Sequence, residues 1–148
     1  RPFAIFIAIC ILCGCKKNTG CTQFGYENYD SDAIVDDGSC IHVKDKFLGN
    51  FSVNSDCFSN SYQTAIAETQ DDYILAITNL GDTLPVVRAN IYGNNITIEP
   101  QTIGVGVTIE GAGIYVEEAS ISLSYRIRDS RSGTEVVTDC FQTCTKSE

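Results

Sequence analysis

The chain has 148 residues, with 19 acidic side chains against 10 basic ones, a formal net charge of −9 and a single histidine. So acidic a chain, with no basic patch to offset the charge, repels nucleic acid and excludes it as a partner. The length allows one ordinary domain plus a short appendage, and 8 cysteines point to an exported, disulfide-bonded protein.

From Pro2 to Leu12 the chain is uncharged and apolar, and Leu12-Cys13-Gly14-Cys15 is followed at once by Lys16-Lys17. This run is too short for a bilayer-spanning helix, which needs about 20 apolar residues, and it suits the apolar part of a secretory signal. With Leu three before the cysteine and Gly directly before it, the stretch resembles a bacterial lipoprotein signal peptide. The resemblance implies that residues 1–14 are removed and that Cys15 is acylated as the mature N-terminus. Each buried methylene contributes about 0.8 kcal/mol, so two or three acyl chains anchor stably in a lipid bilayer. The expected location is the cell envelope, lipid-anchored at the outer membrane. Residues 15–19 form a polar tether without the acidic cluster that marks surface export in many Bacteroidetes lipoproteins, and the periplasmic and surface faces both stay open.

Residues 20–40 read GCTQFGYENYDSDAIVDDGSC. They resemble a cysteine-bounded repeat of secreted and surface Bacteroidetes proteins at Gly20, Cys21, Thr22, Asn28, Tyr29, Ala33, Asp36, Asp37, Gly38, Ser39 and Cys40. The departures are Gln23-Phe24, where Asp-Pro is usual, and Glu27. The resemblance implies a Cys21–Cys40 staple. A segment this short cannot bury a core of its own, and a crosslink closing a loop of about 20 residues contributes about 3 kcal/mol in the chain-entropy model. Phe24, Tyr26, Tyr29, Ile34 and Val35 would give the loop a small apolar cluster to close on. Asp30, Asp32, Asp36 and Asp37 precede Gly38 and could supply several of the six to eight oxygens that calcium takes. The spacing is not that of an EF-hand, and the alternative is that these acids form Asx-turns before Cys40. No other cofactor is implied.

Residues 41–45 read as a linker and 46–148 as the main domain. From Lys44 onward short alternating runs are separated by Gly, Asn, Asp and Pro. Strands are expected at 46–57, 61–70, 73–80, 85–92, 95–103, 105–116, 119–129 and 134–144. In the seventh, Ala119, Ile121, Leu123, Tyr125 and Ile127 alternate with Ser120, Ser122, Ser124, Arg126 and Arg128, so one face is core and the other water. Val105, Val107 and Ile109 share a face of the sixth, which Gly111 and Gly113 continue with a strong bend. The fold class is all-β: an eight-stranded antiparallel up-and-down, lipocalin-like barrel, which leaves no open edge, with a two-sheet sandwich as the alternative. Leu48-Gly49-Asn50-Phe51 loosely resembles the lipocalin Gly-x-Trp signature, with Phe for Trp. Lipobox, cysteine-bounded module and all-β domain in that order resemble the small β-barrel lipoproteins of the Bacteroidetes.

Cys57 and Cys140 lie on the first and last strands, which become neighbours when a barrel closes. A Cys57–Cys140 bridge would lock that seam, and Cys144, of the same parity as Cys140, is the alternative partner of Cys57. Zinc is disfavoured, because no Cys-x-x-Cys follows Cys15 and the only imidazole is His42, expected as a solvated linker residue. No nucleophile elbow, phosphate loop or zincin motif is present. Asp71-Asp72 and Glu117-Glu118 fall at expected turns, leaving a two-carboxylate hydrolase as a remote alternative. The expected function is a membrane-anchored, non-catalytic binding module of the envelope or cell surface, whose partners are the bilayer and other envelope proteins. The alternative is a lipocalin-like carrier of a small apolar ligand, for which Gly111, Gly113, Ala65, Ala67 and Ala76 would leave room at one end.

Overall fold

Two short strands, β1 (Thr19–Gly20) and β2 (Val35–Asp36), pair in parallel and give the cysteine-bounded module its only ladder among the described residues. The computed structural model describes residues 17–116 and 119–147. Residues 1–14, on which the signal-peptide expectation falls, together with Cys15 and Glu117-Glu118 lie outside these residues.

The main domain is all-β. Its eight strands are β3 (Gly49–Ser55), β4 (Tyr62–Glu68), β5 (Ile74–Thr78), β6 (Val87–Tyr92), β7 (Asn95–Gly104), β8 (Val107–Val116), β9 (Ser120–Asp129) and β10 (Val136–Lys146). Each pairs antiparallel with its chain neighbour, and β10 returns to β3, closing a barrel. The sandwich alternative therefore falls. Closure gives every strand a neighbour on both sides, which a sandwich would not.

Alternation builds the interior. Phe51 and Val53 of β3, Leu75 and Ile77 of β5, and Ile121 and Leu123 of β9 point inward and are buried. The outer face carries Arg88, Glu99, Arg126 and other polar residues. A membrane-spanning barrel has the reverse distribution, with its apolar band outside. Pro100 has no amide hydrogen to give a ladder, and the β7–β8 register shifts between Ile98 and Gln101 and again between Thr102 and Gly104. Where β6 and β7 part, the Gln101 side chain replaces the ladder: its Oε1 accepts from the Arg88 amide at 2.9 Å and its Nε2 donates to the Arg88 carbonyl at 2.7 Å.

Both barrel ends are plugged. At one, a 3₁₀ turn over Val43–Lys46 leads Phe47 into the mouth, where it is buried edge-on to Tyr115 at 5.6 Å. At the other, the turn Leu80–Asp82 buries Leu80, with Asn79, Gly81 and Asp82 all left-handed. The first strand thus begins at Gly49, after the plug, and not at residue 46.

Three further expectations are corrected. Val105 is 93 % exposed, because Val105-Gly106 is the turn between β7 and β8 and not part of the strand. Ala119 is left-handed at φ 58 and precedes β9. Gly111 and Gly113 leave no empty space: a β-carbon on Gly111 would lie 2.6 Å from the Ser124 carbonyl oxygen, and one on Gly113 would overlap the Ser122 carbonyl oxygen. They let β8 and β9 approach closely. Ala65, Ala67 and Ala76 are on the outer face and bound no interior room.

Cys57 is bonded to Cys140, locking the seam between β3 and β10. Cys144 is a free, buried thiol, so the Cys57–Cys144 alternative falls. Burial pushes this thiol up to about 11, while the Gln142 amide donating to its sulfur at 3.3 Å pulls it back. Gln142 also accepts from the Tyr62 hydroxyl at 2.7 Å, and that oxygen accepts from the Gly81 amide at 3.0 Å. The Tyr125 hydroxyl is the buried side-chain polar atom without a hydrogen bond among the described residues.

Candidate functional site: an aromatic groove between module and barrel

The Cys21–Cys40 staple closes the module, and Asn28 holds its two arms together. The Asn28 side-chain amide donates to the Ser39 carbonyl at 2.6 Å, and its Oδ1 accepts from the Ile41 amide at 2.8 Å. The Glu27 amide adds a bond to the Ile41 carbonyl at 2.9 Å. Residues 24–29 are thereby fixed over the barrel end formed by the β4–β5 and β6–β7 turns.

Side chains from residues 42–46 join the two parts. The Tyr26 ring packs on His42 at 4.4 Å, and its hydroxyl hydrogen-bonds His42 Nε2 at 2.9 Å. His42 is thus a half-buried hinge contact and not the solvated linker residue expected. Lys46 Nζ reaches Glu27 Oε2 at 2.7 Å, donates to Asn94 Oδ1, and lies over the Phe47 and Tyr115 rings at 5.6 and 5.5 Å. Lys44 pairs with Asp72 at 2.7 Å and with Glu68 at 3.4 Å. The hydrogen bond to Asp72 raises the Lys44 ammonium above its ordinary range, and Lys44 holds the Asp72 carboxyl below its own.

Between these contacts runs an open groove of about 870 Å³, within the size range of small-molecule sites. Phe24, Tyr26 and Tyr29 line it from the module, Tyr73 and Tyr92 from the barrel turns, and Ile91 and Val43 also take part. Phe24 meets Tyr29 edge-on at 5.5 Å. Phe24 is 87 % exposed, Tyr92 82 % and Tyr73 57 %. The apolar cluster expected inside the module therefore does not close: Ile34 and Val35 also face outward, and the aromatic rings turn to the groove. Cys21 is the one buried residue of the described module.

Sequence reasoning did not single out Tyr73 or Tyr92. A signal was present, since each adjoins a turn: Tyr73 follows Asp71-Asp72, and Tyr92 precedes Gly93, left-handed at φ 59.

Three of the four aspartates, Asp30, Asp36 and Asp37, act as turn caps, and Asp32 supplies the amide that Asp30 caps. Asp30 Oδ1 accepts from the Asp32 amide at 2.9 Å, Asp36 Oδ1 from the Gly38 amide at 2.9 Å, and Asp37 Oδ1 from the Ser39 amide at 3.0 Å. Hydrogen bonding from Ser39, its side chain first and its backbone amide second, holds the Asp37 carboxyl below its usual range. Among the described residues the convergence of three potential ligand atoms falls elsewhere, at Asp56, Cys57 and Cys140, where both sulfurs are spent in a disulfide. Asp71 caps a turn by accepting from the Tyr73 amide at 2.9 Å, and its neighbour Asp72 is the ion-pair partner of Lys44.

Fold and groove together define a closed, antiparallel eight-stranded up-and-down barrel with a disulfide-stapled module set against one end. No protein-family model and no curated protein matches the chain.

Proposed function

We propose that this protein is a membrane-anchored, non-catalytic lipoprotein of the cell envelope, of the Bacteroidetes type, that binds its partner in the aromatic groove. One observation carries the binding half: the barrel interior is filled and plugged at both ends, whereas the exposed rings of Phe24, Tyr29, Tyr73 and Tyr92 gather in one concave surface outside it. The packed interior speaks against the carrier alternative, since an apolar ligand would have to displace Phe47 or Leu80. The anchor half rests on the lipoprotein-type pattern ending at Cys15. Calcium at Asp30, Asp32, Asp36 and Asp37 is a separate proposal, and its test is the melting temperature: a rise at millimolar calcium would support it and no shift would remove it.

Intact mass spectrometry of the membrane-extracted protein tests the anchor. A mass beginning at Cys15 with added acyl chains supports it, and a soluble, unacylated chain overturns it. The groove is tested by Phe24→Ala combined with Tyr92→Ala. Rings held open for a partner contribute little to the fold, and the double variant should melt within about 2 °C of the parent. A larger loss would show that the rings serve packing.

A further inference from the structure

We infer that the occupant of the groove is a neutral oligosaccharide, an inference that rests on reading the groove as the binding surface. Three properties of the lining select this chemistry.

The first is the exposed ring faces. Phe24 and Tyr92 present almost whole rings to solvent. An aromatic face carries the negative lobe of the ring quadrupole. The axial C–H groups on one side of a pyranose are weakly positive and apolar together, and they stack on such a face. An alkyl chain gains most from enclosure, and this groove is open.

The second is the charge. The groove's one carboxylate and one ammonium, Glu27 and Lys46, are paired at 2.7 Å, so the lining is neutral. A cationic ligand would meet Lys46 beside its counter-charge. An anionic one would be repelled by a chain of net charge −9.

The third is the ordered polar rim. Lys46 holds Glu27 through Oε2 and Asn94 through Oδ1. Among the described residues no hydrogen bond uses Glu27 Oε1 or the Asn94 side-chain amide. One acceptor and one donor thus stand pre-oriented beside the rings, and the Tyr29, Tyr73 and Tyr92 hydroxyls add groups of both kinds. Sugar hydroxyls need donors and acceptors in such alternation. A proline-rich peptide, which also docks on aromatic grooves, offers carbonyl acceptors and few donors, and would leave Glu27 Oε1 without a partner.

The experiment uses the disulfide-intact chain, with backbone amide resonances as the readout and cellotetraose, maltotetraose and chitotetraose as probes. A proline-rich decapeptide and choline are titrated in parallel. One of the saccharides should shift the amides of Gly25, Glu27, Gly93 and Asn94 and leave those of the opposite barrel end unmoved. Tyr92→Ala and Phe24→Ala should each weaken that saccharide about tenfold, equivalent to ~1.4 kcal/mol of lost stacking, whereas Val105→Ala at the far end should not. If the peptide or choline shifts these amides and no saccharide does, the saccharide inference is overturned and the groove stands as a binding surface. If no probe moves them, both readings fall.

Discussion

Replacing both Cys21 and Cys40 by serine removes a crosslink of sequence separation 19, which in the chain-entropy model stabilises by about 3 kcal/mol. The module has little to set against that loss. Cys21 is its one buried residue, Phe24 and Ile34 face solvent, and what remains is the Asn28 clamp, the turn caps, a few exposed backbone hydrogen bonds and the docking contacts of Glu27 with Lys46 and Tyr26 with His42. A loss of about 3 kcal/mol raises the population of the opened module by roughly a hundredfold. The barrel should not follow, because its eight strands close on one another and its own bridge joins Cys57 to Cys140. Hydrogen exchange resolves the two parts. Protection of the Glu27, Asp30 and Ile41 amides, bonded to the Ile41 carbonyl, the Cys21 carbonyl and Asn28 Oδ1, should fall about a hundredfold, while β9 amides keep theirs. The melting temperature read by circular dichroism should move by less than about 2 °C. If the module amides keep their protection, docking through Lys46 and His42 holds the module and the reasoning fails. A barrel that melted well below the parent would show that the two parts unfold as one.

The seam bridge should matter more to the barrel. Cys57→Ser with Cys140→Ser opens a crosslink of separation 83, about 4.5 kcal/mol in the same model, and calorimetry should record a fall of about 20 °C. Gly113→Ala should cost about 1–3 kcal/mol, because its β-carbon overlaps the Ser122 carbonyl and comes within 2.9 Å of Ile96 and Leu123. Leu123→Ala should not rescue it, since the nearest atom is backbone, and Gly104→Ala, with open space around it, should be neutral in the same denaturant titration. Cys144 makes stability fall at alkaline pH. Its thiol is raised from 9.0 to about 11 in the fold, so between those values the unfolded chain gives up a proton that the fold retains, and stability drops by up to about 1.4 kcal/mol per pH unit. Cys144→Ala should reduce that slope in denaturant titrations between pH 8.5 and 10, above which Tyr62 and Tyr125, both raised by burial, add a fall of their own, and an unchanged slope below pH 10 would contradict the assignment.

Much of this architecture is legible locally. Alternation of Ile121, Leu123 and Tyr125 with Ser122, Ser124 and Arg126 specifies β9 and both of its faces, because side chains in a strand alternate strictly and neighbours in sequence suffice to show it. The turns at Asn79–Asp82, Gly93 and Gly133 are equally local, since they need residues that tolerate left-handed backbone. The Cys21–Cys40 staple was implied by a 21-residue resemblance. Other features depended on partners distant in the chain. Whether the strands close into a barrel is decided by the β10–β3 ladder, whose register sets Gln142 opposite Ser55 and Cys144 opposite Val53. Continued by two residues, that register brings Cys140 to Cys57 and carries Cys144 away into the core, a choice between two cysteines of equal parity that no local pattern could make. The groove has the same origin. Phe24 and Tyr92 are far apart in sequence and share no periodicity, and they meet only because Lys46 and His42 dock the module on the mouth that Phe47 plugs. By itself the sequence determined the strands, the turns and the module, because these follow from interactions between near neighbours. Tertiary structure alone decided closure, the cysteine pairing and the binding surface, because each is set by the register and docking of segments whose contacts form only when the whole barrel does.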